Sequence, residues 1–296
     1  MSMSCGAEWS IATTLLALAA TAAVAAEVDV FLLAGQSNMQ GSAKVAELPA
    51  EMVRPIAGTF FWTGKTFEPF VVGATRSAKK PGEFGPEVAF ALALERGGRP
   101  RYLVKYAVGG MPLHHGWDAA TWVGGEPAPG RKNFHPGGAA DDPAQGTFYR
   151  NMLGQFRAAL AFLRQRGDVP VVRGLLWMQG EQDSKHEESA AVYARSLRTL
   201  RDRVAVDLGL ESLPLVFGQV LPHEPPAARF THRNLVRAQQ AAADGRSGKA
   251  EAIPGAVMVS TDGIGLLPDT VHYDTQGQLR LGREFAQALE GLDRGD

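Results

Sequence analysis

Beyond residue 26 the chain alternates short apolar runs with longer amphipathic stretches, and that rhythm predicts a fold class. Residues 28–34 are nearly continuous in apolar side chains, as expected of a parallel strand buried on both faces, and Gly35-Gln36-Ser37 follows directly. Residues 87–96 carry helical spacing behind Gly85-Pro86, and residues 102–108 read as a strand that ends on Gly109-Gly110. Residues 147–166 set Met152, Phe156, Leu160 and Leu163 at three- and four-residue intervals, one face of a helix. Further strands are predicted at 169–178, 215–221 and 256–260, and further helices at 189–208, 230–243 and 276–289. Strands alternating with helices imply an α/β architecture: a mostly parallel sheet in a three-layer α/β/α sandwich, entered by right-handed crossovers. No repeat and no long linker divides residues 27–296, which read as a single domain. The irregular tract is 111–146, rich in Gly, Pro, His and Trp, and its two tryptophans favour a functional loop over a disordered one.

Residues 11–26 are apolar and small and end in Ala-Val-Ala-Ala before Glu27. The run is short for a membrane span of about 20 residues and reads as a secretory signal peptide, residues 1–26, cleaved after Ala25 or Ala26. Residues 2–10 depart from the usual pattern in holding no Lys or Arg. The expectation is a secreted or periplasmic protein with no stable membrane association after signal cleavage.

Composition narrows the chemistry. With 296 residues, 30 Lys+Arg against 31 Asp+Glu and a formal charge of −1, the chain has no basic excess for a nucleic acid. The single cysteine, Cys5, rules out a disulfide framework, and its place in the signal leaves the mature chain without a thiol nucleophile. An α/β-hydrolase elbow needs Gly-x-Ser-x-Gly, but Ser37 is followed by Asn38-Met39 and Gly245-Arg246-Ser247-Gly248 has the wrong spacing. His186-Glu187-Glu188-Ser189-Ala190 lacks the second His of a zinc helix, and no phosphate loop ends in Gly-Lys-Ser/Thr.

Open parallel sheets bind ligands beyond the carboxyl ends of their strands. Gly35-Gln36-Ser37-Asn38-Met39 stands at the first such end and Gly109-Gly110 at the next. Gln179-Gly180-Glu181-Gln182-Asp183 stands at the third, and Asp269-Thr270-Val271-His272 follows the last. A serine after a strand is commonly only a cap, a Gly-Gly pair a turn, and Asp-x-x-His a surface bend. Gathered on one edge of one sheet, they are the inventory of a serine esterase. Three residues apart in a turn, the Asp269 carboxylate can reach the His272 Nδ1–H and leave Nε2 free to take the serine proton; Asp262 is the rival carboxylate. His114 and His115 lie in the Trp-bearing loop, and His135, His186, His223 and His232 read as solvated.

These blocks, together with Gly85-Pro86-Glu87, Ala107-Val108 and Trp177-Met178, resemble the ordered blocks of SGNH-type hydrolases. They are most similar to the sialate O-acetylesterase-like, carbohydrate esterase family 6 branch, which includes acetylxylan esterases. The likeness runs from about Val28 to Ala288. It implies a flavodoxin-like sheet and a serine esterase without metal or cofactor. Ser37 would be the nucleophile, His272 the general base and Asp269 its orienter. The oxyanion donors would be the Ser37 N–H, one N–H from Gly109 or Gly110, and the Gln179 side chain, with Gln182 as the alternative glutamine. Gln36, Asn38 and Glu181 would support the site.

The expected substrate is an acetylated carbohydrate, with Trp117, Trp122 and His114 as candidate sugar contacts. The chain's neutrality leans toward an uncharged acetylated glycan such as acetylxylan. The other readings are a sialate O-acetylesterase, a lysophospholipase or thioesterase on the same scaffold, and a non-catalytic carbohydrate-binding protein. Oligomeric state is left open.

Overall fold

The structure is a computed structural model that describes residue 1, residues 25–95 and residues 98–294. The predicted signal therefore lies almost wholly outside the described residues. The central element is β1 (Glu27–Gly35), in which Val30, Leu32, Leu33 and Ala34 are fully buried. Its unbroken apolar run has the physical reason expected: parallel neighbours on both sides and helices on both faces leave no solvated side.

Around it lie β2 (Pro55–Trp62), β3 (Phe67–Val71), β4 (Arg101–Ala107), β5 (Val169–Met178), β6 (Leu215–Gly218) and β7 (Ala256–Val259). The order across the seven-stranded sheet is β7-β6-β5-β1-β4-β2-β3. Every pairing is parallel except β2 with β3, an antiparallel hairpin at one edge. The helices are α1 (Ser37–Gln40), α2 (Glu87–Ala93), α3 (Thr147–Gln165), α4 (Glu187–Ala191), α5 (Tyr193–Leu208), α6 (Arg233–Ala243) and α7 (Thr275–Arg294). α2 and α7 pack on each other across one face of the sheet, with Phe90 of α2 edge-on to Phe31 of β1. α3 lies over β4 and β5 on the opposite face and touches α5, which packs on α6. The three-layer α/β/α sandwich is as the alternation predicts.

The hairpin β2–β3 has no counterpart among the predicted elements. Its signal is present in the aromatic alternation of Phe60, Trp62, Phe67 and Phe70 around Gly64, but Pro55, Gly58 and Pro69 interrupt it. The helix expected over 189–208 is broken at Val192, where φ −109° and ψ 13° separate α4 from α5. The strand expected over 215–221 ends at Gly218, and Leu221 takes a positive φ of 56°.

One buried ion pair ties the sheet to the first turn of α2. Lys105 of β4 donates to Glu87 Oε2 at 2.6 Å, with 4% and 0% of the two side chains exposed. The same ammonium donates to the carbonyls of Gln40 and Ser77, while Glu87 Oε1 accepts from Ser77 Oγ and from the Gly85 N–H. Glu87→Ala strands a buried ammonium and is expected to cost about 3–5 kcal/mol in urea unfolding. The double variant Glu87→Leu with Lys105→Met removes both charges and should recover most of that loss; recovery no better than the single variant would refute the pairing account.

Candidate active site

Gly35 closes β1 at φ 145°, where a Cβ would collide with the Met178 carbonyl of β5, so only glycine lets the chain turn sharply into α1. Ser37 opens that short helix at the mouth of a cleft of about 530 Å³. Gly109, leaving β4, comes so close that a Cβ there would lie 3.5 Å from Ser37 Cβ. The N–H groups of Ser37, Gly109 and Gly110 have no acceptor among the described residues and stand at the same cleft. His272 lines it too. Its Nδ1 lies 2.6 Å from Asp269 Oδ2, while Asp269 Oδ1 accepts the N–H of Val271 and of His272. Burial alone would raise the Asp269 carboxyl, but the His272 ring and those two N–H groups outweigh it and hold the carboxyl below its usual range. Asp262, the rival, is committed to Arg237 Nη2 at 2.6 Å.

Asn38 joins the two halves of this arrangement. Its amide donates to Glu181 Oε1 at 2.8 Å and to the Val271 carbonyl at 2.9 Å, and its Oδ1 accepts the Tyr273 N–H at 3.1 Å. The helix bearing Ser37 is thus fastened directly to the turn bearing His272. Glu181 is buried, its Oε2 has no partner among the described residues, and burial raises its carboxyl despite the bond from Asn38. Gln36 accepts the N–H of Gln182 at 3.3 Å and so holds the turn after β5 against the start of α1.

Gln179 is not brought into the cleft. Its amide nitrogen is used twice, on the Met111 carbonyl at 3.1 Å and on Asp183 Oδ2 at 2.6 Å, and the side chain is fully buried. It lies beneath the sheet edge with Tyr193, whose hydroxyl donates to its Oε1. Of the two glutamines, Gln182 is the one at the cleft wall, where its Oε1 accepts from Lys185.

The proposed sugar contacts His114, Trp117 and Trp122 also stand elsewhere. Trp117 is buried and donates its indole N–H to Ser189 Oγ, and Trp122 stacks on His186 with centroids 3.7 Å apart. His114 lies 4.1 Å from the His115 ring, which meets His135. His135 and His186 are half-buried in this aromatic cluster rather than solvated, because the loop folds back on α4 to bury its own rings. Asp183 anchors the loop by accepting the N–H groups of Leu113 and His114.

Burial pushes His114 down to about 3 and His135 to about 4, so both stay neutral in the fold where the unfolded chain takes up protons below about 6.5. Stability from these two is present above that point and is lost as the pH falls toward 4. Burial raises Asp183 to about 6, which acts in the opposite sense over roughly pH 6 to 4. Burial lowers His115 and raises Glu181 as well. Three imidazoles thus stand against two carboxyls and predict a thermal midpoint that drops between pH 7 and 4.5, with a shallower slope in His135→Gln. An equal slope in the variant would refute this origin.

The cleft rim carries residues the sequence reading passed over: Lys79, Lys80, Lys185 and Arg229. They come from loops far apart in the chain, so no local pattern announces them. Gln40, one turn after Ser37 on α1, was legible by helical spacing alone. Among the described residues no group of three or more His, Cys, Asp or Glu is placed to hold a metal ion.

A family model described as carbohydrate esterase, sialic acid-specific acetylesterase matches residues 27–290. The chain belongs to that family. The acetylesterase is accordingly a carboxylic ester hydrolase acting on acetylated carbohydrate. No curated protein matches the chain. Among solved structures it is similar to a protein from Arabidopsis thaliana, with TM-score 0.64 and 21% identity over 90% of this chain and 98% of that one. It is similar to NanS, with TM-score 0.62 and 15% identity over 93% and 100%. A carbohydrate acetylesterase from Xanthomonas citri gives TM-score 0.57 and 20% identity over 90% of this chain and 57% of that one. At these identities the likeness is one of fold. No helix among the described residues of the acetylesterase is long and apolar enough to cross a membrane.

Proposed function

We propose that the protein removes O-acetyl groups from a sugar through a Ser37-His272-Asp269 triad, and that it does so after export and cleavage of residues 1–26. The observation that carries this reading is the shared cleft: Ser37 and His272 line one cavity, Gly109 abuts Ser37, and Asp269 holds the Nδ1 side of the histidine. Ser37 Oγ attacks the acetyl carbonyl while His272 Nε2 takes its proton. The oxyanion forms against the N–H groups of Ser37 and of Gly109 or Gly110, a preorganisation worth about 3–4 kcal/mol per donor. His272 then protonates the sugar oxygen as it leaves. Water, deprotonated by the same histidine, releases acetate from the acyl-enzyme.

The substrate reading shifts from a neutral glycan. Lys79, Lys80, Lys185 and Arg229 border the cleft against Glu83, which is paired to Lys44, and the buried Glu181. This excess of cations favours an acetylated sugar carrying a carboxylate, such as a sialate, over acetylxylan. The test is acetate release from O-acetylated sialosides, acetylated xylan and simple sugar acetates, with 4-nitrophenyl esters of increasing chain length. The expected result is a preference for the acidic sugar and a loss of at least about tenfold from acetyl to butyryl. Faster hydrolysis of long acyl chains would instead identify a lysophospholipase or thioesterase, and no hydrolysis of any ester a binding protein.

A further inference from the structure

A second cavity, of about 340 Å³, opens beside the first. The cleft sits over the ends of β1 and β4. The neighbour sits over the ends of β4 and β2, the next gap in the sheet, with Tyr106 and Ala107 on one side and Phe61, Trp62 and Thr63 on the other. Adjacent strands lie about 4.8 Å apart, so one step along the sheet edge is about the reach of one sugar ring. Gln40 and Lys79 border both cavities and form the sill between them.

The chemistry of this neighbour suits a hydroxylated ring. Small-molecule sites run from about 300 to 1,000 Å³ and pair apolar walls with a few convergent polar groups. Here the apolar side is fixed: Trp62 packs on Phe67 and Phe162, with ring centroids 5.0 Å and 5.8 Å away. Gln155 Oε1 accepts the Trp62 indole N–H at 2.8 Å, while its amide nitrogen has no acceptor among the described residues. Arg76 gives one N–H to the Lys79 carbonyl at 2.8 Å and forms no ion pair among the described residues. Donors on an apolar, preformed wall are what sugar hydroxyl oxygens require, and the exposed Thr63 and Gly64 leave the cavity open to a chain running onward.

We propose that this cavity is a subsite for the residue glycosidically joined to the acetylated sugar, so that the preferred substrate is an acetylated oligosaccharide or glycoconjugate rather than a free acetylated monosaccharide. The proposal rests on the esterase reading of the cleft: with the ester carbonyl at Ser37, the rest of the substrate crosses Gln40 and Lys79 into the second cavity.

The experiment compares kcat/KM for O-acetylated sialyllactose with that for O-acetylated N-acetylneuraminic acid, and for acetylated xylotriose with acetylated xylose. In at least one pair the longer substrate should be favoured by about tenfold, chiefly through KM. Thr63→Trp, at an exposed position on the rim, places an indole across the cavity, and that ratio should fall to about one. Arg76→Ala should lower it in the same direction. Ratios near one in both pairs for the wild-type enzyme, or a ratio that neither variant moves, would overturn the subsite while leaving the esterase intact. Failure to release acetate from all four substrates would overturn the esterase reading and the subsite with it.

Discussion

Ser37→Ala is expected to lower kcat for acetate release by about 10⁴- to 10⁶-fold, the loss seen when a serine hydrolase loses its nucleophile. The argument is geometric. Ser37 begins a helix held at four points: Gln40 donates to the Ala107 carbonyl, Asn38 donates to Glu181 and to Val271, and Gln278 donates to the Asn38 carbonyl. Those anchors hold Ser37 at the cleft that His272 also lines. Removing one oxygen atom disturbs none of them, so the variant should keep its thermal midpoint and still bind substrate. Activity within tenfold of the wild type would exclude Ser37 as nucleophile.

The second large effect belongs to Asp269→Asn, expected to reduce kcat by about 10⁴-fold with the fold unchanged. Asp269 uses one oxygen on the N–H groups of Val271 and His272 and the other on His272 Nδ1. An asparagine would keep its oxygen on the two backbone donors and turn its amide toward the ring. The amide can only donate there, so the imidazole proton moves to Nε2, and the nitrogen proposed as general base becomes a donor that cannot accept the serine proton. A loss mainly in kcat, with KM nearly constant, is the signature of that tautomer change; a loss confined to KM would assign Asp269 to substrate binding.

These two variants rest on residues legible in the chain, whereas much of their surroundings was not. The carboxyl ends of parallel strands announce themselves because each apolar run stops at a glycine or polar block, as Leu33-Ala34 does before Gly35-Gln36-Ser37. Asp269 and His272 are three residues apart, and so short a separation leaves the turn little choice of partner. Gln179 and Gln182 could not be told apart in the same way. Their difference lies in which one Asp183 and Met111 occupy, and those contacts form only when the loop after Gly110 folds under the end of β5. Trp117 and Trp122 do not line the Ser37 cleft for a related reason. An aromatic ring in an irregular tract packs against whatever apolar surface lies nearest, here α4 and its histidine, and composition does not say what that surface is.

The sequence by itself determined the layered α/β fold, the family and the four chain segments at the site, because hydrophobic period and strand-end chemistry are local properties that survive without coordinates. Only the tertiary structure decided the cationic rim, the second cavity and the withdrawal of Gln179. Each depends on side chains separated by tens of residues meeting at one sheet edge, as Lys79 and Arg229 do, and the energy of such contacts is set by distance in space rather than along the chain.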